Sequence, residues 1–565
     1  MAYLAGGWLL LQVLDVVGDA FEWPLGIQRG AVVVVAVGFL VTLVVASFHG
    51  EKGRQRVSGP ELLIIAGLCL AGAFGVDYVR RDASDLGDSG PPAGEAQASS
   101  RPDPRSVAVL PFLDLSETGD QEYFGDGIAE ELLNALAQIS DLKVAGRTSS
   151  FAFKGSTLEI REIASRLGVA SVLAGSVRRS ATQLRINAEL VDAADGRRRW
   201  NRQYDRELSD IFAVQEDIAR AIAAEFRLEL AGGADDLTLR GQTDDHEAQD
   251  LYLEGRFEWN RRTRESLEDA VRLFEQALAR DDGYARAHVG LGDANAVLGF
   301  YEYRRPGDAF PAAQRAARAA LALEPRLAEP HATLGYVALY HDWDWDTAQR
   351  EFLEAIRVSP DYPVAHQWYA NYLTAMGRPS EAEAEMRRAS ELDPLSMIAH
   401  AATGWVLYYA GEQTRARTQL EESKLRDPEF EPAHLWSAWV DEELGELAAA
   451  ERSARRAVEL SGGSTISRAT LARVLARQGR VEESRALVAE LESERDRGGY
   501  VPSYDIARVY VALDDPAAAL AWLERARDDR SHSMAFLQVD PQLASLHDEP
   551  RFVALAEALG LGHGP

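Results

Sequence analysis

The feature that most restricts how this chain can fold is a period of about 34 residues in its second half. Four prolines mark the period, separated by 35, 34 and 34 residues: Pro325, Pro360, Pro394 and Pro428. A histidine follows six residues after each proline, at His331, His366, His400 and His434. Glycines recur at the same interval, at Gly377, Gly411, Gly445 and Gly479. One pair of helices cannot bury its own apolar face, so this period indicates stacked helical hairpins with a continuous core.

This pattern resembles the tetratricopeptide repeat, in which two helices occupy about 34 residues. Weaker units precede and follow the four clear ones, so we expect seven or eight units and an all-α superhelix within residues 248–530. Gly or Ala stands four residues after each histidine, where a small side chain lets two helices approach closely. Residues 531–565 resemble the closing segment of such arrays and are expected to cap the last exposed face.

Apolar runs near the amino terminus predict a membrane anchor of two or three helices over residues 1–81. Residues 30–48 carry no charge and residues 62–76 form a shorter apolar run, while a helix needs about 20 apolar residues to cross a bilayer. Residues 4–22 either form a third span or lie in the membrane interface. The loop at residues 49–61 is basic, which favours a cytoplasmic loop and periplasmic soluble domains. We therefore expect an inner-membrane protein that contacts the lipid bilayer.

Residues 106–230 have the pattern of one α+β domain. The run SVAVLPF, residues 106–112, is typical of a strand. Asp126 precedes a run with a helical period and is expected to be its N-cap. The other expected elements are a strand at 142–145, helices at 160–167 and 211–230, and strands at 171–179, 183–192 and 197–205. Flexible linkers are expected on either side, at residues 82–105 and 231–247.

Five motifs stand within about residues 105–230: SVAVLPF, EYFGDGIAEELLNAL, VAGRTSSFAFKG, GVASVLAGSVRRS and DIFAVQEDIARAIA. Together they resemble the TolB-like, FlgO-like amino-terminal domain of bacterial membrane and periplasmic proteins. The resemblance implies a periplasmic α/β fold used in assembly or sensing, without known catalysis. Some relatives add a cytoplasmic cyclase, kinase or winged-helix module before the membrane segment. We expect none of these modules here, because the anchor begins the chain.

Composition restricts the chemistry further. The formal net charge is -29, which argues against nucleic acid as a partner because phosphate binding needs a basic surface. Arg greatly outnumbers Lys, and Ala and Gly are frequent, as in proteins from GC-rich bacterial genomes. The single cysteine, Cys69, excludes an intrachain disulfide and a multi-cysteine metal site.

The histidines in register, with His288 as a fifth, invite a metal-site interpretation. Equivalent helices of neighbouring repeats lie about 10 Å apart, whereas zinc ligands lie about 2 Å from the metal. The histidines therefore cannot share ions, and we interpret them as packing residues. No phosphate loop, nucleophile elbow, HExxH sequence or kinase motif set occurs. We accordingly expect no catalytic residues, no metal, no cofactor and no enzymatic activity.

Three aspartates in the segment HDWDWD mimic the start of a calcium-binding loop. The sixth and twelfth places hold Thr347 and Leu353 instead of Gly and Glu, so the coordination geometry fails. We expect Asp346 to cap the following helix, and Trp343 and Trp345 to pack between repeats.

First-helix positions one, five and eight residues after the histidines are expected to line the concave surface that helical arrays use for binding. Aromatic residues there have the composition of a binding hot spot. The alternative is that these rings pack against a neighbouring helix. The predicted partner-binding groove consists of Tyr336, Asn371, Trp405, Tyr408 and Trp439.

The fold expected is thus multidomain, with a transmembrane helical anchor, an α+β TolB-like domain and an all-α tetratricopeptide-repeat superhelix. The leading functional hypothesis is a membrane-tethered scaffold that binds proteins or peptides in the repeat groove. The alternative is a ligand-sensing or regulatory component of a transmembrane signalling system.

Overall fold

The computed structural model describes residues 102–561, except for residues 117–120, 138, 140, 181–182, 208–210, 227–240, 302 and 498–499. The expected membrane anchor at residues 1–81 lies outside the described residues. Within the described part of the chain, no helix combines the length and the apolar character that a bilayer crossing requires.

Six strands form one mixed sheet near the beginning of the described chain. They are β1 (Ser106–Val109), β2 (Leu113–Asp114), β3 (Lys143–Val144), β4 (Ser171–Arg179), β5 (Gln183–Asp192) and β6 (Arg198–Glu207). The strand order is β3-β1-β4-β5-β6, and β2 also pairs with β4. β1 runs parallel to β3 and β4, whereas β4, β5 and β6 form antiparallel neighbours. Alternating residues of β5 are buried, which is the period expected of a strand that is covered mainly on one face.

Four helices cover this sheet. They are α1 (Glu122–Ala137), α2 (Arg147–Phe151), α3 (Ile160–Leu167) and α4 (Ile211–Glu225). Helices α1 and α4 share a core with Ile186 and Leu190 of β5, and α3 packs on the other face against Val172. The expectation that Asp126 caps α1 is wrong, because the helix begins at Glu122. Asp126 instead lies inside the helix, buried, with a carboxylate oxygen 2.6 Å from the ammonium of Lys154.

Eight antiparallel helix pairs follow between His246 and Asp528, and we number them as the first to the eighth hairpin. They are α5/α6 (His246–Arg261, Arg264–Arg280), α7/α8 (Ala285–Phe300, Pro306–Leu323), α9/α10 (Glu329–Val337, Trp345–Val358), α11/α12 (Pro363–Ala375, Pro379–Leu392), α13/α14 (Met397–Tyr409, Gln413–Arg426), α15/α16 (Glu431–Glu443, Leu447–Leu460), α17/α18 (Thr465–Arg477, Val481–Asp496) and α19/α20 (Ser503–Ala512, Pro516–Asp528). A π-helical segment, Ala338–Asp342, extends α9.

The hairpins stack so that each first helix contacts the first helix of the next hairpin. Each second helix contacts the first helix of its own hairpin and that of the next one. This arrangement places the first helices on the inner side of a superhelix. Small residues allow the close approach that the sequence predicts: a Cβ atom on Gly404 would lie 2.6 Å from Leu420 Cγ on the paired helix.

The chain after the eighth hairpin forms short helical turns. They are the 3-10 turns His532–Phe536 and Pro541–Leu546 and the helix α21 (Pro550–Ala558). Leu543, Leu546 and Phe552 share a core with the eighth hairpin, as a capping segment would. The same segment also reaches the inner helices of the array, because Phe536 belongs to the core of the second to sixth hairpins.

The mixed sheet and the helices α1 to α4 together form the sheet domain. This domain contacts the array at two separated places. Helix α1 shares a core with Leu253 of the first hairpin. Farther along the array, the turn between the fourth and fifth hairpins meets α2. There the amide of Ser149 donates to Asp393 Oδ1 at 2.7 Å, and the amide of Leu395 donates to Ser149 Oγ at 2.7 Å. The array therefore curves back onto the domain that precedes it.

Candidate binding groove of the helical array

Four of the five residues predicted to form the groove have little exposed surface. Trp405 is 8% exposed and Tyr408 is 1% exposed, and Tyr336 and Trp439 are also buried. Asn371 is partly buried, and its amide nitrogen donates to the hydroxyl of Tyr340 at 3.1 Å. The alternative interpretation, in which the rings pack against neighbouring helices, describes these side chains. Their contribution to partner binding stays a prediction.

Ring contacts between successive first helices account for this burial. The ring centroid of Tyr336 lies 4.3 Å from that of Trp368 in the next hairpin. Tyr408 and Trp439 also belong to consecutive hairpins, with centroids 5.8 Å apart. The indole nitrogen of Trp439 donates to Thr470 Oγ1 in the following hairpin at 3.0 Å. The rings therefore form part of the packing between repeats, since large aromatic side chains gain most from burial.

The chain's own carboxyl-terminal segment covers the inner surface at these rings. The ring of Phe536 lies 5.0 Å from Trp405 at an interplanar angle of 89°, and 5.1 Å from Tyr409. The ring of His532 lies 4.8 Å from that of Phe300. The repeat period could not indicate these contacts, because the segment lies outside it; the apolar run MAFLQV is the one sequence signal for a buried tail.

A buried ion pair holds the same segment. Asp540 is 0% exposed, and its Oδ2 accepts from Arg508 Nε at 2.8 Å and from the hydroxyl of Tyr504 at 2.8 Å. The Arg508 guanidinium also lies over the ring of Trp439, 4.7 Å from its centroid, and donates to the hydroxyl of Tyr409 at 3.3 Å. Burial by itself would lower the pKa of Arg508, but the adjacent Asp540 carboxylate raises that pKa above its ordinary value.

A second buried charge cluster joins the sheet domain to the first two hairpins. Glu130 accepts from Arg147 Nε at 2.7 Å and from Arg256 Nε at 2.8 Å. Burial would raise the pKa of Glu130, but the two guanidinium groups outweigh it and lower that pKa to about 2. Asp293 accepts from Thr333 Oγ1 at 2.8 Å, and burial raises its pKa to about 6. The two pKa shifts are opposite because Glu130 lies between two guanidinium groups, whereas burial is the largest influence on the pKa of Asp293.

Three of the histidines in register, His331, His366 and His400, connect the two helices of their hairpins, and His434 contacts the loop before its own helix. His366 Nδ1 lies 2.6 Å from Glu385 Oε2, and its Nε2 lies 2.9 Å from the carbonyl oxygen of Pro360. The equivalent contacts elsewhere are His331 with Glu351, His400 with Gln419 and His434 with the carbonyl of Pro428. Within the described ranges, no group of three or more His, Cys, Asp or Glu residues is placed to hold a metal ion.

The segment HDWDWD differs from expectation in two respects. Asp344, and not Asp346, caps α10, because its Oδ1 accepts from the amide of Thr347 at 3.0 Å. The two tryptophans contact the carboxyl-terminal segment in addition to the array. The Arg530 guanidinium lies 4.6 Å from the ring centroid of Trp343, and the indole nitrogen of Trp345 donates to the carbonyl of Leu559 at 2.9 Å. Residues of HDWDWD therefore help to hold the carboxyl-terminal segment in place.

A match to a family model agrees with the helical hairpins. The family model described as "Tetratricopeptide repeat" matches residues 260–302 and 369–432. A thermophilic TPR protein of Thermus thermophilus is 19% identical, with a TM-score of 0.30, over 34% of this chain and 98% of its own. A tetratricopeptide repeat protein from Parabacteroides merdae is 14% identical, with a TM-score of 0.32, over 47% of this chain and 96% of its own. Each solved structure matches part of this chain.

A curated relative corrects one expectation from the sequence. "Putative adenylate cyclase 3" of Rhizobium meliloti (strain 1021) is 41% identical over 186 residues, which are 33% of this chain and 32% of the relative. The chain thus matches about a third of the length of that relative. The expectation of no enzymatic activity is contradicted, because this relative points to a possible enzyme. The repeat prediction is confirmed: the chain carries tetratricopeptide repeats.

Proposed function

We propose that this chain is a scaffold whose tetratricopeptide array binds other proteins or peptides. The observation that supports this most is the continuous inner layer formed by the first helices of eight consecutive hairpins. Stacked helical repeats use such an inner surface for binding. Trp368, Tyr409 and Trp436 on this layer remain partly exposed, and Trp and Tyr are among the side chains that dominate binding energy at protein interfaces.

The finer part of the proposal is that the scaffold is tethered to a bacterial inner membrane, with its soluble domains in the periplasm. The uncharged run at residues 30–48 and the basic loop at residues 49–61 support this orientation. We further propose that residues 106–230 form a TolB-like domain. The five motifs quoted above and the mixed sheet between Ser106 and Glu207 support that assignment.

Reporter fusions test the orientation. Alkaline phosphatase, which needs the periplasm, and a fluorescent protein that is inactive when exported are fused at Ser89 and at the carboxyl end. We expect phosphatase activity and no fluorescence at both positions. Fluorescence at both positions would overturn the periplasmic location.

Partner capture tests the scaffold function. A photo-crosslinking amino acid is introduced at Trp368, which is partly exposed on the first helix of the fourth hairpin. A matched probe at Leu425, 82% exposed on the second helix of the fifth hairpin, serves as the outer-surface control. We expect crosslinked proteins from the inner position that are missing from the outer one. Identical products from both positions would contradict binding by the inner surface.

A second candidate function is favoured by the relative named as a putative adenylate cyclase. We propose that the chain acts in cyclic-nucleotide signalling, either by forming cyclic AMP or as a ligand-sensing regulatory component. The test is the conversion of ATP to cyclic AMP by the purified full chain with Mg²⁺ or Mn²⁺. Product formation supports an enzyme. Its absence, together with unchanged cyclic AMP in cells lacking the chain, would exclude this candidate.

A further inference from the structure

The segment His532–Asp540 lies on the inner surface of the array as a bound peptide would. Phe536 is almost fully buried among aromatic rings that come from two different hairpins. Its ring centroid lies 5.0 Å from Trp405 and 5.1 Å from Tyr409, both on α13. Tyr340, on the π-helical segment of the third hairpin, lies 6.1 Å away. The three rings form an aromatic pocket that one side chain fills.

The second anchor of the segment stands four residues after the first. Asp540 accepts from Arg508 Nε at 2.8 Å, and its carboxylate lies 2.7 Å from Arg508 Nη2. The hydroxyl of Tyr504 donates to the same carboxylate oxygen at 2.8 Å. Arg508 also donates to the hydroxyl of Tyr409, whose ring lines the aromatic pocket. The carboxylate site and the aromatic pocket are therefore adjacent.

Side chains supply the anchoring, since the main chain of the segment bonds to itself. The amide of Met534 donates to Ser531, that of Leu537 donates to Met534, and that of Asp540 donates to Phe536. A peptide from another molecule could therefore make the same contacts if it carried the same two side chains at the same spacing.

We propose that this surface, the aromatic–arginine groove, recognises a partner peptide with an aromatic residue followed four residues later by a carboxylate, and that the chain's own segment occupies it until such a partner replaces it. The groove is defined by Tyr340, Trp405, Tyr409, Tyr504 and Arg508. The inference rests on the proposed scaffold function and specifies the chemistry of the partner. A peptide lacking the carboxylate would remove the shorter of the two carboxylate contacts of Arg508, leaving Asp505 at 3.4 Å, and would leave the hydroxyl of Tyr504 without its acceptor. This loss gives the groove its selectivity.

The covalent tether makes the internal ligand a strong competitor. A short tether gives an effective concentration on the order of millimolar, so a free peptide competes poorly with an intact segment. Removing the internal anchors should therefore increase the affinity for the same sequence supplied in trans.

Fluorescence anisotropy of a labelled peptide tests this inference. The probe is the sequence of residues 530–542, RSHSMAFLQVDPQ, and the proteins are the full wild-type chain and its Phe536→Ala/Asp540→Asn variant. We expect the variant to bind the probe at least tenfold more tightly than the wild type. A control probe with Ala and Asn at the same two places should bind neither protein. Equal binding of both probes, or no binding by a folded variant, would overturn the inference.

A second arm applies if the double variant does not fold. A protease site inserted after Asp528, which is exposed, leaves the released segment held by noncovalent contacts alone. The later residues of the segment keep their core with the eighth hairpin, so the readout is hydrogen exchange across residues 532–540. Excess probe should speed that exchange, and the control probe should not. Unchanged exchange at saturating probe would contradict the proposal. A cellular partner captured equally by wild type and double variant would overturn the groove assignment while leaving the scaffold function intact.

Discussion

Arg508 and Asp540 form a fully buried ion pair that connects the first helix of the eighth hairpin to the carboxyl-terminal segment. The Asp540 carboxylate takes bonds from two guanidinium nitrogens and a tyrosine hydroxyl, which offset the cost of its burial. The pair fixes the segment against the inner helices of the array.

Replacing Arg508 by Met should destabilise the protein by about 3–5 kcal/mol, because it leaves a buried carboxylate without its cation. Denaturant unfolding measures the change. Arg525→Met is the matched control, since the Arg525 guanidinium covers an aromatic ring, that of Trp522, at the protein surface. The double variant Arg508→Met/Asp540→Asn should lose less than Arg508→Met alone. A loss equal to that of the control would contradict the role of the pair.

Glu431 should make stability depend on pH. Burial raises the pKa of Glu431 to about 7, although Ser467 Oγ donates to its carboxyl group at 2.9 Å. Between an unfolded pKa of about 4.3 and the folded value, the folded state binds more protons, so the free energy of unfolding falls as pH rises. Glu431→Gln, which keeps the acceptor for Ser467, should match the wild type near pH 4 and have the higher melting temperature near pH 8.

The control for this titration is Glu429→Gln, at an exposed position two residues earlier. It should leave the difference between pH 4 and pH 8 unchanged. A Glu431→Gln variant whose melting temperature follows the wild type at every pH would show that the carboxyl group does not titrate in this window.

Gly404 should not tolerate a methyl group. A Cβ at this position would lie 2.6 Å from Leu420 Cγ and 3.3 Å from the carbonyl oxygen of Ala416, so the paired helix would have to move. We expect Gly404→Ala to cost about 1–3 kcal/mol in thermal or denaturant unfolding. Gly307→Ala is the control, because its Cβ would enter open space in a helix. Equal stability of the two variants would refute the close helix approach.

Removing the Asp393 side chain should loosen the second contact between the sheet domain and the array. Its carboxylate accepts from both the amide and the hydroxyl of Ser149. Asp393→Ala should therefore speed hydrogen exchange at the Ser149 amide and across residues 146–151. Asp427→Ala removes the equivalent side chain one repeat later, which accepts from the amide of Glu429. Faster exchange in both variants would indicate a general effect on the array.

Local patterns predicted the elements well. The helix Ile160–Leu167 and the strands β4 and β5 lie where apolar periodicity places them. The 34-residue period predicted the hairpins because each unit repeats the same local packing. Asp126 failed as a helix cap because buried residues precede it in α1, and local sequence does not show which Asp receives a lysine.

The contacts that surround the groove residues could not be predicted from the sequence. The rings of Trp405 and Trp439 occupy first-helix positions that the period identifies, and contacts with neighbouring hairpins bury part of each ring. Further contacts come from residues outside the neighbouring repeats: Phe536 meets Trp405, and Arg508, two hairpins later, lies over the ring of Trp439. Periodicity describes contacts between neighbouring repeats and contains no information on these additional contacts.

The contacts of Ser149 with Asp393 and of Phe536 with Trp405 distinguish this solenoid from an open array, because they join parts of the chain that are not neighbouring repeats. In an open array each repeat touches only its neighbours, so a unit can be gained or lost without consequence for distant ones. Here, deleting one hairpin between the first and the fifth would move the turn that carries Asp393 away from α2. The same loss between the fifth and the eighth would carry Phe536 away from its pocket. The repeat number of this protein is therefore fixed by geometry.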